Sequence, residues 1–211
     1  MLSVHGRKPA RRFVEPVAKA LLNAGVSANI TTVVGTVVAA TLSAVLIPAD
    51  YLVAAAIAIG LFSAFDMVDG TMARLSGGGT AYGATLDASC DRITDGALFG
   101  AIAMWLIYVD HAHPAHVAAC LAVLVLSQTI SYIKARAEAG GIKIVGGLVE
   151  RPERLIVALV GLGLEGFGVP HAVEVAVWLL LVGSVFTVVQ RLMIAARDPR
   201  ATAPLAPPPG A

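Results

Sequence analysis

The chain has 211 residues, 57% of them hydrophobic and only 14% charged, with a mean hydropathy of +0.81. A water-soluble domain carries about 25% charged residues, so one buried core in water is excluded and long lipid-facing runs account for the imbalance. The net charge of +1 gives no reason to expect a nucleic-acid partner, and Cys90 and Cys120 offer neither a disulfide framework nor a metal-ligand spacing.

Residues 9–24 alternate basic and apolar side chains, with Arg11, Arg12, Phe13, Val17, Lys19, Leu21 and Leu22. That pattern predicts an amphipathic helix lying in the membrane interface. It belongs to an N-terminal segment, 1–26, that lacks the short apolar core and cleavage site of a signal peptide. A membrane domain follows over 27–197. A span needs about 20 apolar residues. The sequence offers six, at roughly 27–48, 51–74, 82–109, 115–138, 153–168 and 172–196. The fifth is short and interrupted by Gly161, Gly163 and Gly166. The tail 198–211 is rich in Pro and Ala and is expected to be disordered. The fold class is therefore all-α: a polytopic membrane protein with six transmembrane helices and an N-terminal interfacial helix.

Lys and Arg set the orientation. The loops near 48–51, 109–115 and 167–171 contain neither. Arg7, Lys8, Arg11 and Arg12 precede the first span, Lys143 and Arg151 follow the fourth, and Arg197 and Arg200 follow the sixth. Both termini are thus expected in the cytoplasm of a cell-membrane protein. Arg136, Lys143 and Arg151 are read as markers of that boundary. Trp105 and Trp178 are read as ordinary interfacial aromatics, and His111, His113 and His116 as a polar outer loop.

The chemistry concentrates between the second and third spans, in Asp66-x-x-Asp69-Gly70-x-x-Ala73-Arg74, eight further residues, then Gly83-x-x-x-Asp87-x-x-x-Asp91. An Asp at the centre of a membrane helix costs roughly 2.5–3.5 kcal/mol, so four of them approach roughly 10 kcal/mol without cations. Ionisable groups in that position mark a functional site by default. Spacings of three and four put Asp66 with Asp69, and Asp87 with Asp91, on shared helix faces. The connection contains Gly77, Gly78 and Gly79 and is short enough to bring the two pairs opposite one another. Oxygen-only ligands select Mg²⁺ or Mn²⁺, and four Asp can hold two such ions around a phosphoryl group. Gly70 and Ala73 let a substrate or another helix come close, and Arg74 suits phosphate oxygens. Asp95 extends the acidic face by one more turn.

This motif resembles the complete signature of the CDP-alcohol phosphotransferases. Members transfer a phosphoalcohol from a CDP-linked donor to an acceptor hydroxyl and release CMP. The resemblance implies metal ligation by Asp66, Asp69, Asp87 and Asp91, with Asp91 also the general base. It assigns Gly70 and Arg74 to the donor. The family tends to start its first span with Thr/Ser-Pro-Asn-x-x-Thr; here Ala28 replaces the Pro within Ser27-Ala28-Asn29-Ile30-Thr31-Thr32. Asn29, Ile30, Thr31 and Thr32 are accordingly expected against the cytidine nucleotide, with Thr80 a further donor contact. Helix capping by Ser27 or Asn29 is compatible with that role.

Three further stretches, 131–138, 150–156 and 190–192, are similar to the actinobacterial members that join CDP-diacylglycerol (CDP-DAG) to 1D-myo-inositol 3-phosphate. The similarity implies an acceptor-phosphate site of Lys134, Arg154 and Arg191 with Ser131, and a homodimer. A phosphate dianion approaching a carboxylate-rich site needs such positive charge. The alternatives are a member using glycerol 3-phosphate and, in another class, a divalent-cation transporter. A transporter leaves Gly70, Arg74 and the basic cluster without a task.

Overall fold

The apolar runs fold as helices whose starts are set by small polar side chains. Ser27 accepts the Ile30 amide at 3.3 Å, Thr80 the Gly83 amide at 2.9 Å, and His113 Nδ1 the Ala115 amide at 3.2 Å beside Pro114. Each satisfies an amide that the helix itself leaves bare. The structure, a computed structural model, describes residues 7–64 and 66–202, and the side chains of 14–63 and 67–202. The expected disorder of 203–211 and the side chain of Asp66 lie outside that description.

In chain order the helices are α1 (Arg7–Asn23), α2 (Ala28–Leu46), α3 (Leu52–Ala64), α4 (Asp66–Leu75), α5 (Ala81–Tyr108), α6 (Pro114–Ala139), α7 (Arg151–Gly166) and α8 (Ala172–Arg197). Among the described residues there is no strand. Helices α2, α3, α7, α8, α6 and α5 each pack on the next, and α5 closes the ring on α2. Helix α4 packs on α2, and α1 packs on α4 through Ala18, Val68 and Met72. The apolar face of α1 is thus partly covered by protein.

Four helical stretches among the described residues are long and apolar enough to cross a membrane: Ala28–Leu46, Leu52–Leu75, Pro114–Ala139 and Ala172–Arg197. The other two ring members fall short for identifiable reasons. Helix α5 carries Asp87, Asp91, Arg92 and Asp95 in its first 15 residues of 28, and α7 is only 16 residues long.

The main core draws on Ile47, Leu52, Phe99, Ile102, Leu106, Val123, Leu162 and Val177, which lie in the half of the bundle away from the acidic motif. The glycines of α7 are contact points within one continuous helix. A Cβ on Gly161 would sit 2.6 Å from Ala176 Cβ, and one on Gly166 2.8 Å from the Val53 amide. Small residues here let α7 lie against α8 and α3.

Trp105 corrects its interfacial reading. It is 4% exposed, and its Nε1 donates to Asp50 Oδ1 at 2.7 Å, tying α5 to the turn after α2. Trp178 is half-exposed and donates to His116 Nδ1 at 3.2 Å. At the same end, His171 Nδ1 lies 2.9 Å from Glu174 Oε1, and this hydrogen bond holds the exposed imidazole pKa above its ordinary value.

Candidate active site

Residues 66–91 fold as helix, turn, helix. The turn works because Gly77 and Gly78 take φ of +96° and +115°, a region that side chains oppose. The Gly78 amide closes α4 on Ala73 O at 3.0 Å, and Thr80 then caps α5. The two glycines of the motif have different tasks. A Cβ on Gly83 would lie 3.1 Å from Thr80 Oγ1 and 3.3 Å from Asn29 Oδ1, so Gly83 lets α2 approach α5. A Cβ on Gly70 would meet nothing within 4 Å. Gly70 therefore faces open space and is not a contact point between helices among the described residues.

That space is a cavity of about 840 Å³. Asn29 and Thr32 wall it from α2, Asp69, Gly70 and Ala73 from α4, Gly78, Gly79 and Thr80 from the turn, and Gly83 and Asp87 from α5. The Thr32 hydroxyl reaches buried Asp69 Oδ2 at 2.5 Å. Asp91 lies one turn beyond Asp87 and pairs with Arg151 Nη1 at 2.9 Å, with Arg92 at 3.8 Å.

The donor assignments divide by helical face. Asn29 and Thr32, three apart, both line the cavity together with Gly70 and Thr80. Ile30 is 54% exposed, and the Thr31 hydroxyl lies 3.2 Å from Ser27 O and 3.5 Å from Met72 Sδ. Arg74 Nη2 donates to Thr71 Oγ1 at 2.8 Å and does not line the cavity.

The acceptor assignments lie apart from that cavity. The Ser131 hydroxyl donates back to Ser127 O at 3.2 Å, and Lys134 is exposed. Buried Arg191 donates from Nη1 to Ile130 O at 2.8 Å, from Nε to Gly146 O at 3.3 Å and from Nη2 to Glu150 Oε1 at 3.0 Å. Arg154 is 1% exposed and meets Asp95 Oδ2 at 2.5 Å.

Arg151, read from the sequence as a boundary marker, touches the predicted base instead, and its Nη2 lies 3.4 Å from Thr94 Oγ1. The signal was present in the spacing. Arg151 and Arg154 are three apart at the start of one helix, and Asp91 and Asp95 four apart on another.

The donor set at the cavity is carboxylate oxygen, which suits a hard divalent ion. Asp69 and Asp87 stand on its wall, and Asp91 is one turn away on Arg151. Among the described side chains, which do not include that of Asp66, no three His, Cys, Asp or Glu form a group able to hold a metal. The carboxylates present on the cavity wall suit a hard divalent ion.

Residues 25–190 match the model of the CDP-alcohol phosphatidyltransferase family. The chain is 59% identical to the phosphatidylinositol phosphate synthase of Corynebacterium glutamicum over 95% of this chain and 92% of that protein. It is 46% identical to the synthase of the same name from Mycolicibacterium smegmatis, over 93% of this chain and 89% of that protein. Among solved structures, the phosphatidylinositol phosphate synthase of Mycobacterium tuberculosis with CDP-DAG bound superposes with a TM-score of 0.88 at 45% identity, covering 93% of this chain and 100% of that chain. The same enzyme in complex with manganese and citrate gives a TM-score of 0.86 at 45% identity, covering 92% and 93%.

Proposed function

Because this chain belongs to the CDP-alcohol phosphatidyltransferase family, we propose that it transfers the phosphatidyl group of CDP-diacylglycerol to 1D-myo-inositol 3-phosphate. The observation that carries this reading is the single cavity that gathers Asp69, Gly70 and Asp87 of the motif with Asn29, Thr32 and Thr80. Open space at Gly70 leaves room for the donor's phosphates beside the backbone. Asn29, Thr32 and Thr80 offer hydrogen bonds to the nucleotide.

In the reaction the acceptor hydroxyl oxygen attacks the phosphorus that carries the diacylglycerol. The new P–O bond forms as the bond to CMP breaks, CMP leaves, and the hydroxyl proton passes to Asp91. Two ions, Mg²⁺ or Mn²⁺, held by Asp66, Asp69, Asp87 and Asp91, supply electrostatic stabilisation of the attacking and leaving oxygens when bound. Arg154, Arg191, Lys134 and Ser131 recognise the acceptor phosphate, and Arg74 supports the donor from the rim.

In this reading all six helices of the ring cross the bilayer, α1 lies in the interface, and the motif faces the cytoplasm. The Lys- and Arg-free loops at the opposite end support that orientation. Two such chains form a homodimer.

The test is product analysis with labelled CDP-diacylglycerol and three acceptors offered separately: inositol 3-phosphate, free inositol and glycerol 3-phosphate. Inositol 3-phosphate is expected to give the product. Equal use of free inositol overturns the phosphate-binding assignment. Better use of glycerol 3-phosphate keeps the chemistry and replaces the acceptor.

A further inference from the structure

Asp95 lies one turn beyond Asp91 on α5, outside the eight fixed positions of the motif. Asp95 is 3% exposed, and its carboxylate sits among three guanidinium groups. Arg154 Nη2 is at 2.5 Å, Arg92 Nη2 at 3.8 Å and Arg151 Nε at 3.9 Å. Arg92 and Arg151 also reach Asp91. The two carboxylates thus share two of the three guanidiniums.

Arg154 carries the clearest sign. Its Nη2 is paired with Asp95, while Nε and Nη1 are buried with no hydrogen-bond partner among the described residues. Bare buried donors are costly, and a charged donor more so. An ion pair built for rigidity alone would use both carboxylate oxygens on two guanidinium nitrogens. Here Asp95 engages Arg154 through one nitrogen and leaves the rest of the fork open.

We propose that Asp95 is a positioning residue for the acceptor phosphate: it anchors Arg154 by one nitrogen, so that the remaining N–H groups serve the phosphate and Arg154 stays off Asp91. The inference rests on the reading of Arg154 as a phosphate contact. The alternative partner for Arg154 is one helical turn away, because Asp91 and Asp95 share a face of α5. Without Asp95, Arg154 would fall onto Asp91, removing both a phosphate contact and a metal ligand. Arg92 and Arg151 are the partly exposed arginines of the cluster, at 28% and 24%, and Arg154 lies behind them.

The test uses the full chain in detergent, with initial rates measured against both substrates for the wild type, Asp95→Asn, Arg154→Gln and the double variant. Asp95→Asn is expected to raise KM for inositol 3-phosphate on the order of tenfold, as for one charge-assisted hydrogen bond, with KM for CDP-diacylglycerol moving far less. The double variant should have the acceptor KM of Arg154→Gln alone, because Asp95 acts through Arg154. An unchanged acceptor KM in Asp95→Asn, or effects that multiply in the double variant, overturns the proposal. If Asp95→Asn does not fold, Asp95→Glu decides. It keeps the charge but displaces it by one methylene, so its acceptor KM should still rise, and a wild-type value overturns the proposal. A wild type that does not use inositol 3-phosphate at all sinks the acceptor reading instead, so the two failures are distinct.

Discussion

The proposed donor side of the site is an open cavity walled by glycines, alanine, hydroxyls and carboxylates, whereas on the proposed acceptor side Arg154 is buried and held by Asp95 through one nitrogen, and Arg191 by Glu150 and backbone carbonyls. The contrast follows from what each side is proposed to bind. A nucleotide diphosphate brings its own bulk, so the protein supplies space, hydroxyls and ligands for cations. A small phosphorylated acceptor needs stored positive charge, and a guanidinium in a low-dielectric site needs at least one anchoring carboxylate. Arg154 and Arg191 are accordingly held by Asp95, Glu150 and backbone carbonyls, while the cavity wall is left open.

The largest effect should come where the two sides meet. Asp91→Asn is expected to lower turnover roughly 10²–10⁴-fold, the range for loss of a general base, while CDP-diacylglycerol binding is retained. Near-normal turnover in the purified variant would remove Asp91 from the mechanism. Chelation should abolish transfer and also lower the melting temperature, because the carboxylates lose their cations; Mg²⁺ or Mn²⁺ should restore both. Turnover that persists after rigorous metal removal breaks the carboxylate–metal reading.

Arg191→Gln should raise KM for inositol phosphate about tenfold to a hundredfold, the equivalent of roughly 1.5–3 kcal/mol for one charge-assisted contact. A loss confined to the lipid donor would instead move Arg191 to the other side of the site. Gly70→Ala probes the open side. The new methyl meets nothing in the protein, and Ala favours a helix over Gly by about 1 kcal/mol, so the melting temperature should rise slightly while KM for the donor worsens. A fall in melting temperature would make Gly70 a packing residue like Gly161.

The smallest effect belongs to the opposite end of the bundle. The His171 pKa is raised by its hydrogen bond to Glu174, so its contribution to stability is full below the unfolded value of about 6.5 and is lost as pH rises through the folded value. His171→Ala should therefore lower the melting temperature slightly at pH 6 and not at pH 9. An equal loss at both pH values would show that packing, not charge, is responsible.

The helices and the acidic motif were legible because both depend on local spacing. Apolar runs of span length predicted helices within a few residues of those observed, including α7 despite its glycines. Three- and four-residue steps placed Asp87 and Asp91 on one face, and the glycines after Leu75 marked the turn between the two acidic helices. The same periodicity explains why only Asn29 and Thr32 of residues 29–32 reach the cavity; reading the four as a block ignored the turn of the helix.

By itself the sequence determined an all-helical, membrane-suited chain with a family-defining acidic motif, because 3.6-residue periodicity and hydrophobic length are properties of neighbouring residues. The tertiary structure decided what the long side chains and the glycines do. It put Arg151 on Asp91 and Arg154 on Asp95, turned Trp105 inward to Asp50, and gave Gly83 to helix packing and Gly70 to open space. These assignments depend on which helix lies opposite. An arginine reaches several Å from its backbone, and a glycine is defined by what approaches it, so neither partner can be read from the residues alongside it in the chain.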